Sequence, residues 1–339
     1  MKLLICTQAV DPHDTELGFF PAWIEKLAEH YEAITVLCLR AKGYSLPKNV
    51  RVISLGSSRI TRAFNVLRYS IALRHEYDAV FVHMNQEYVL LAGALWKRLK
   101  RPVYLWRNHY SGTKATDRAA RRVKKLFFTS NHSYTAKFGN AVKMPVGIDT
   151  EAFTRLPEVP RDPRGILFLG RLTPSKRPHL LLQALATLAH KGVTFSALVC
   201  GPSPAGDAEY IEKLKDLAHE LRLGESVQFM PGVPHAETPQ MFNRHALVVN
   251  CSPSGMYDKT MFEAACCECM VVSSSQDFAA LVPPRFTFED NNAEDLARKL
   301  ESLLKLPVLE QQGAGAHMHN IAKEHSLSNL VERLVQEIK

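Results

Sequence analysis

The 339-residue sequence contains no uninterrupted apolar stretch near the roughly 18 residues needed to cross a bilayer, no internal repeat and no low-complexity tract. The first absence excludes an integral helical membrane protein, and the 46% apolar, 22% charged composition rules out disorder, collagen and a small disulfide scaffold. No Gly-x-Gly-x-x-Gly run follows a strand-like segment and no P-loop occurs, which argues against a dinucleotide oxidoreductase and an NTPase. The start of the chain, with one Lys and a short apolar run ending at Asp11, reads as a first buried strand and not as a secretory leader. Seven cysteines, an odd number lying mostly in apolar runs, then fit buried reduced thiols and a cytoplasmic location. Cys266, Cys267 and Cys269 lie close together on a helix-like segment, where adjacent side chains diverge by about 100°. With His179 or His235 they would make a poor tetrahedral metal site.

What is present points to a globular α/β chain. A 46% apolar and 22% charged composition suits two domains of ordinary size. The charge is uneven: residues 1–155 hold 24 Lys and Arg against 12 Asp and Glu, while residues 156–339 hold 18 against 22. A basic first half faces something anionic, whether nucleic acid, a phosphorylated ligand or an acidic bilayer surface, or else carries solvated helix faces. Arg118, Arg121, Arg122, Lys124 and Lys125 are its densest cluster.

Short apolar runs of strand length recur at 3–6, 34–39, 50–55, 79–82, 103–106, 126–129 and 142–146. Helical spacing separates several of them, as at 19–27 and 87–99. After Pro157, Pro160 and Pro163 a second set follows at 165–169, 195–200, 227–229, 246–250 and 270–273. Buried strands alternating with helices predict parallel sheets covered on both faces, so the expectation is two tandem doubly wound domains with ligand in the cleft between their carboxyl edges. Leu327, Leu330, Val331, Leu334, Val335 and Ile338 form a stripe on a final helix that either completes the second domain or crosses back to the first.

The chemistry concentrates in two loops. The segment Gly170-Arg171-Leu172-Thr173-Pro174-Ser175-Lys176-Arg177-Pro178 places cations at a strand end just before a helix, where the dipole and free N–H groups already favour a diphosphate. The segment Cys251-Ser252-Pro253-Ser254-Gly255-Met256-Tyr257-Asp258-Lys259 leads into a helix carrying Glu263 among apolar residues. A carboxylate there is costly unless it binds something, such as a ribose diol, or pairs with a buried Arg. His83 follows a strand and is read equally as structural or acceptor-binding.

These motifs, with Gly201-Pro202, Pro231-Gly232-Val233 and Glu263-Ala264, resemble the donor-binding domain of family 4 retaining glycosyltransferases. Gly18, His109 and Gly147-Ile148-Asp149 extend the resemblance into the first half. It implies the GT-B fold, with a first domain at 1–155 to which a final helix at 326–339 returns, and a donor domain at 156–325. It further implies that Arg171 and Lys176 hold the diphosphate, that Glu263 binds the ribose, that Gly18 approaches the phosphates and that His109 reaches the donor sugar. Gly170, Gly255, Met256, Tyr257, Asp258 and Lys259 would complete the donor site.

Two departures stand out. Gly255 occupies the position, eight before Glu263, where the commonest family pattern has another Glu, and Cys267-Glu268-Cys269-Met270 replaces its usual Gly-x-Pro. The Ser254-Gly255-x-x-Asp258-Lys259 form resembles a recurring variant in which Asp258 or Lys259 supplies the missing contact. The expected protein is therefore a metal-independent glycosyltransferase without a cofactor, using a UDP- or GDP-sugar. Its acceptor would be a saccharide or lipid-linked saccharide of cell-surface polysaccharide or glycolipid synthesis, at the inner face of an anionic membrane, and it would not bind nucleic acid. A nucleotide-sugar epimerase of the same fold and a catalytically silent sugar-nucleotide-binding subunit are the alternatives.

Overall fold

The computed structural model describes residues 1–202 and 208–338, which form two compact units, Met1–Gly147 with Leu327–Lys339, and Ile148–Ser326. In the first unit seven parallel strands, β1 (Lys2–Val10), β2 (Ala33–Ala41), β3 (Val50–Ser54), β4 (Ala79–His83), β5 (Val103–Trp106), β6 (Lys125–Phe128) and β7 (Ala141–Lys143), are ordered β3-β2-β1-β4-β5-β6-β7. The central strands β1, β4 and β5 are buried along nearly their whole length because helices cover both sheet faces. The chain winds first one way from β1 and then the other, so the order reverses between β1 and β4.

Helices α1 (Phe20–Ala28), α2 (Arg59–Ala72), α3 (Glu87–Arg98) and α4 (Lys114–Ala120) complete this part of the chain. Val66 of α2, Val89 and Trp96 of α3 and Ala119 of α4 share a core with Leu4, Val80 and Leu105. On the other sheet face Phe20, Trp23 and Leu27 of α1 pack with Leu3, Ile5 and Phe81.

In the second unit β8 (Asp162–Leu169), β9 (Ser196–Cys200), β10 (Val227–Met230), β11 (His245–Asn250) and β12 (Met270–Ser273) form a parallel sheet ordered β10-β9-β8-β11-β12, reversing between β8 and β11. Its helices are α5 (Pro178–His190), α6 (Ala208–Glu220), α7 (Thr238–Arg244), α8 (Lys259–Cys266), α9 (Gln276–Ala279), α10 (Ala293–Leu304) and α11 (Val308–Lys323). Ile148 pairs with Ser326 and donates its amide to the His325 carbonyl at 2.9 Å, which joins the two ends of this unit.

The last helix, α12 (Leu327–Glu337), belongs to the first unit and packs on α1. Leu327, Leu330, Val331 and Leu334 bury the expected stripe. Lys339, at the end of the expected helix, lies outside the described residues. Gly147 sits at φ +77°, and a Cβ there would come within 2.2 Å of Leu330 and 2.8 Å of Trp23. The Trp23 indole donates to the Gly147 carbonyl at 3.1 Å, so a glycine is needed where the chain passes between the two helices.

The observed strands coincide with the expected ones to within a few residues at their ends. The expected boundary near 155 falls inside the second unit, and Pro163, read as part of a linker, is the second residue of β8. A proline is tolerated there because the first residues of the strand are exposed and its missing N–H costs no central ladder bond. Helix α2, absent from the sequence reading, has a Ser58 cap accepting from the Thr61 amide at 3.1 Å. Its large apolar residues lie partly on the outer face, which blurs the period that normally marks a helix.

Candidate donor site

The carboxyl edge of an open parallel sheet binds ligands best where strand order reverses, because the loops there diverge and leave a crevice. In the second unit that point lies between β8 and β11, and the two chemistry-bearing loops follow those two strands. Glycines make the edge low. A Cβ on Gly201 would stand 1.7 Å from the Gly170 carbonyl oxygen, and one on Gly232 would stand 2.6 Å from the Pro202 ring. Gly170 itself has φ +157°, with open space where a Cβ would be.

From this edge the backbone turns into a short 3-10 segment, Pro174–Lys176, and then into α5. Arg177 adopts a left-handed conformation (φ +53°) at the junction, and its guanidinium donates to Asp290 at 2.6 Å. Arg171, on the turn directly after β8, is half-buried. Lys176 is only 8% exposed, and its ammonium is ion-paired with Asp258.

Asp258 occupies the residue before α8 where a carboxylate would normally cap the helix, yet it makes no side-chain cap. Its Oδ1 accepts from Lys176, and its Oδ2 accepts from Asn250 Nδ2 at 2.9 Å and from Ser252 Oγ at 2.6 Å. Burial alone would raise the Asp258 carboxyl, but the Lys176 ammonium and these hydrogen bonds outweigh it and hold the group below the usual carboxylate range. At the start of α8 the Met261 amide donates to the Asp258 backbone carbonyl at 3.3 Å. Asn250 and Ser252 were not singled out in the sequence. Their place at the end of β11, within eight residues of Asp258, was the available signal.

Gly255 at φ +92° and Tyr257 at φ +46° make the tight loop that delivers Asp258 to this position. Tyr257 is buried edge-on against Phe262, with ring centroids 4.9 Å apart, so it anchors the loop by its ring. Met256 is half-buried beside it. Burial draws the Lys259 ammonium down to about 7, against the upward pull of the Glu263 carboxylate.

Glu263 is 4% exposed on α8, as its apolar neighbours in sequence suggested. Its partner is a histidine and not a buried Arg: His235 Nε2 lies 3.0 Å from Oε1. His235 stands in the 3-10 turn His235–Glu237 that follows β10, and its ring packs against Phe153 at 5.2 Å. Sequence reasoning considered His235 only as a metal ligand, because nothing local shows that the β10 loop reaches α8. Among the described residues, no group of three or more His, Cys, Asp or Glu side chains is arranged to hold a metal ion. Cys266, Cys267 and Cys269 are buried, and the Cys269 thiol donates to the Phe242 carbonyl at 3.1 Å.

The remaining expected residues belong to the first unit. Gly18 is buried on the loop after β1, where its amide donates to the Asp14 carbonyl at 3.0 Å. His109 follows β5. Its Nδ1 accepts from the Ser111 amide at 3.0 Å and lies 2.9 Å from Ser111 Oγ. Its ring also stacks on Tyr110 at 4.5 Å. His83 is 1% exposed and stacked 4.0 Å from Phe20, with Nδ1 3.4 Å from Thr7 Oγ1, an aromatic core position.

Residues 149–324 match the model of the family described as glycosyl transferases group 1, and the chain belongs to that family. The matched span lies within the second unit. Curated relatives include a D-inositol 3-phosphate glycosyltransferase of Frankia alni, 34% identical over 120 residues, covering 34% of this chain and 29% of that protein. Another from Kineococcus radiotolerans is 29% identical over 156 residues, covering 42% of this chain and 36% of its own length. The chain thus spans about a third of the curated relatives it matches.

Solved structures similar over nearly the whole chain include Anabaena HepE in complex with UDP and glucose (TM-score 0.79, 16% identity, covering 100% of this chain and 99% of that one). Sucrose-phosphate synthase of Thermosynechococcus elongatus is similar at TM-score 0.82 and 13% identity, covering 99% of this chain and 98% of that one. The two parallel-sheet α/β units have the GT-B fold.

Proposed function

We propose that this protein transfers a glycosyl group from a nucleoside diphosphate sugar to a hydroxyl, with retention of anomeric configuration and without a metal ion. The observation that carries the reading is the meeting of Lys176 and Asp258 at the β8/β11 switch point, with Arg171 on the turn that follows β8 and Asp258 directly before α8. As the bond from the anomeric carbon to the diphosphate oxygen breaks, negative charge grows on the leaving group, and two cations plus helix amides stabilise it most at that moment. The incoming hydroxyl attacks the same face of the oxocarbenium-like sugar and gives its proton to the departing phosphate oxygen. No side-chain nucleophile is needed. Glu263, oriented by His235, is assigned to the ribose, and Asp258 holds Lys176 in place within the Ser254-Gly255-x-x-Asp258-Lys259 motif.

HepE is described in complex with UDP-glucose, which makes uridine donors the first to screen, followed by guanosine donors. The acceptor is proposed to be a saccharide or lipid-linked saccharide presented at an anionic membrane, a reading supported by the basic first half of the chain. Catalytic silence is the second reading, and it is favoured by Gly255, which has no side chain to contact the sugar. The test is nucleotide release from each donor with and without acceptor, in the presence of EDTA. Release that depends on acceptor and survives EDTA supports transfer. Conversion of the sugar without net release would identify an epimerase, and binding without turnover of any donor would identify a silent subunit.

A further inference from the structure

Helix α2 turns three large apolar side chains to solvent: Ile60 is 83% exposed, Phe64 63% and Ile71 49%. Their spacing of four and seven residues puts them on one side of the helix, away from Val66 and Ser70, which face the core. Single exposed apolar residues are ordinary, but a ridge of three on one helix marks a contact surface. The charge around the ridge identifies the partner. Helix α2 itself holds three Arg and no Asp or Glu, with Arg59 and Arg68 exposed, and although the chain from Ala33 to His75 has no Asp or Glu against eight Lys or Arg, two of those eight are paired, Arg40 with Asp14 and Arg51 with Glu76. Helices α3 and α4 pack in the same layer, and the guanidinium of Arg122 on the exposed segment after α4 donates to the Leu90 carbonyl of α3 at 3.3 Å.

We infer that α2 is a membrane-surface anchor that lays Ile60, Phe64 and Ile71 into the interfacial region of an anionic bilayer while Arg59 and Arg68 engage lipid headgroups. An apolar ridge and a cationic rim supply two signals of the kind reversible surface binding requires, since either alone is marginal. The Ser58 cap keeps the helix formed at its N-terminus without help from the bilayer, so little folding entropy opposes binding. The inference rests on the proposed membrane-presented acceptor only for its biological purpose, and the surface itself can be tested with no substrate present.

The purified chain is sedimented with phosphatidylglycerol-containing vesicles and with neutral phosphatidylcholine vesicles, alongside Ile60→Ser/Phe64→Ser and Arg59→Glu/Arg68→Glu variants. Phe64→Trp serves as a depth probe against the three native tryptophans, Trp23, Trp96 and Trp106, all nearly inaccessible. The expected result is binding to anionic vesicles that is weakened by salt, falls about tenfold or more in either double variant, and blue-shifts the emission of the Phe64→Trp variant. Equal binding to neutral vesicles, no emission shift, or wild-type binding by the Ile60→Ser/Phe64→Ser variant overturns the inference. So does a wild-type dimer in sedimentation velocity that becomes monomeric in that variant, because the ridge would then be a self-association face. Loss of binding on reversing Arg118, Arg121 and Arg122, with the α2 variants unaffected, would move the contact to α4. Transfer to a soluble acceptor is assayed separately, so failure of the enzymatic reading leaves the vesicle result intact.

Discussion

Replacing Lys176 with Met keeps the aliphatic stem but removes the ammonium that faces Asp258. Both side chains of the pair are largely withdrawn from water, at 10% and 15% exposure, so solvent screening compensates little. The Asp258 carboxylate would retain only the neutral donors Asn250 and Ser252. Breaking a buried pair from one side costs about 3–5 kcal/mol, because an uncompensated charge remains. At about 2–4 °C per kcal/mol for a domain of this size, the melting midpoint of the second unit should fall by about 6–20 °C at pH 7. The pH dependence follows from the sign of the shift. A carboxyl held below its unfolded value contributes stability above about pH 4 that is lost as pH falls through its lower folded value, so the gap between Lys176→Met and wild type should narrow in acid. Adding Asp258→Asn to Lys176→Met should recover most of the loss, since neither charge then remains. Calorimetric melts of wild type, both single variants and the double variant across pH supply the measurement. A Lys176→Met midpoint equal to wild type at pH 7 would refute the assignment of Asp258 as the group that holds Lys176.

Arg171→Ala, on a half-buried turn, should fold normally and lose about 100-fold in turnover, the scale of about 2.7–4 kcal/mol for a donor that acts on developing charge; steady-state kinetics showing wild-type kcat would remove it from the reaction. Glu263→Gln should raise the donor KM about tenfold with little change in kcat, because hydroxyl hydrogen bonds to a charged acceptor are weakened in ground and transition states alike. If kcat falls instead, Glu263 acts on the sugar and not on the ribose. An approaching diphosphate should draw the Lys259 ammonium back up from about 7, so donor binding near pH 8 should take up protons; titration calorimetry in buffers of different ionisation enthalpy would show no buffer dependence if this is wrong. Gly201→Ala should destabilise by about 3 kcal/mol or more, since its Cβ would meet the Gly170 carbonyl oxygen at 1.7 Å, and an unchanged denaturation midpoint would mean that the strand edge yields.

The alternation of buried strands with amphipathic helices, the two sheets and the stripe Leu327–Ile338 were legible in the sequence because each is a periodic burial pattern carried by consecutive residues. Gly170, Arg171, Lys176, Asp258 and Glu263 were legible as candidates for a related reason: strand ends followed by turn residues and a helix start are local features. Their partners were not. That Lys176 pairs with Asp258, that Glu263 faces His235 and not an Arg, and that Arg177 reaches Asp290 depend on strands meeting in the order β10-β9-β8-β11-β12. Likewise, the outward ridge of α2 exists because Val66 and Ser70, flanked by the partly buried Leu67 and Tyr69, fill the space above the sheet and leave Ile60, Phe64 and Ile71 outside. Local sequence determines where a helix or strand forms and which chemical groups it offers. Which group meets which, and so which charge is compensated and which apolar face stays in water, is decided by packing between segments that are distant in the chain.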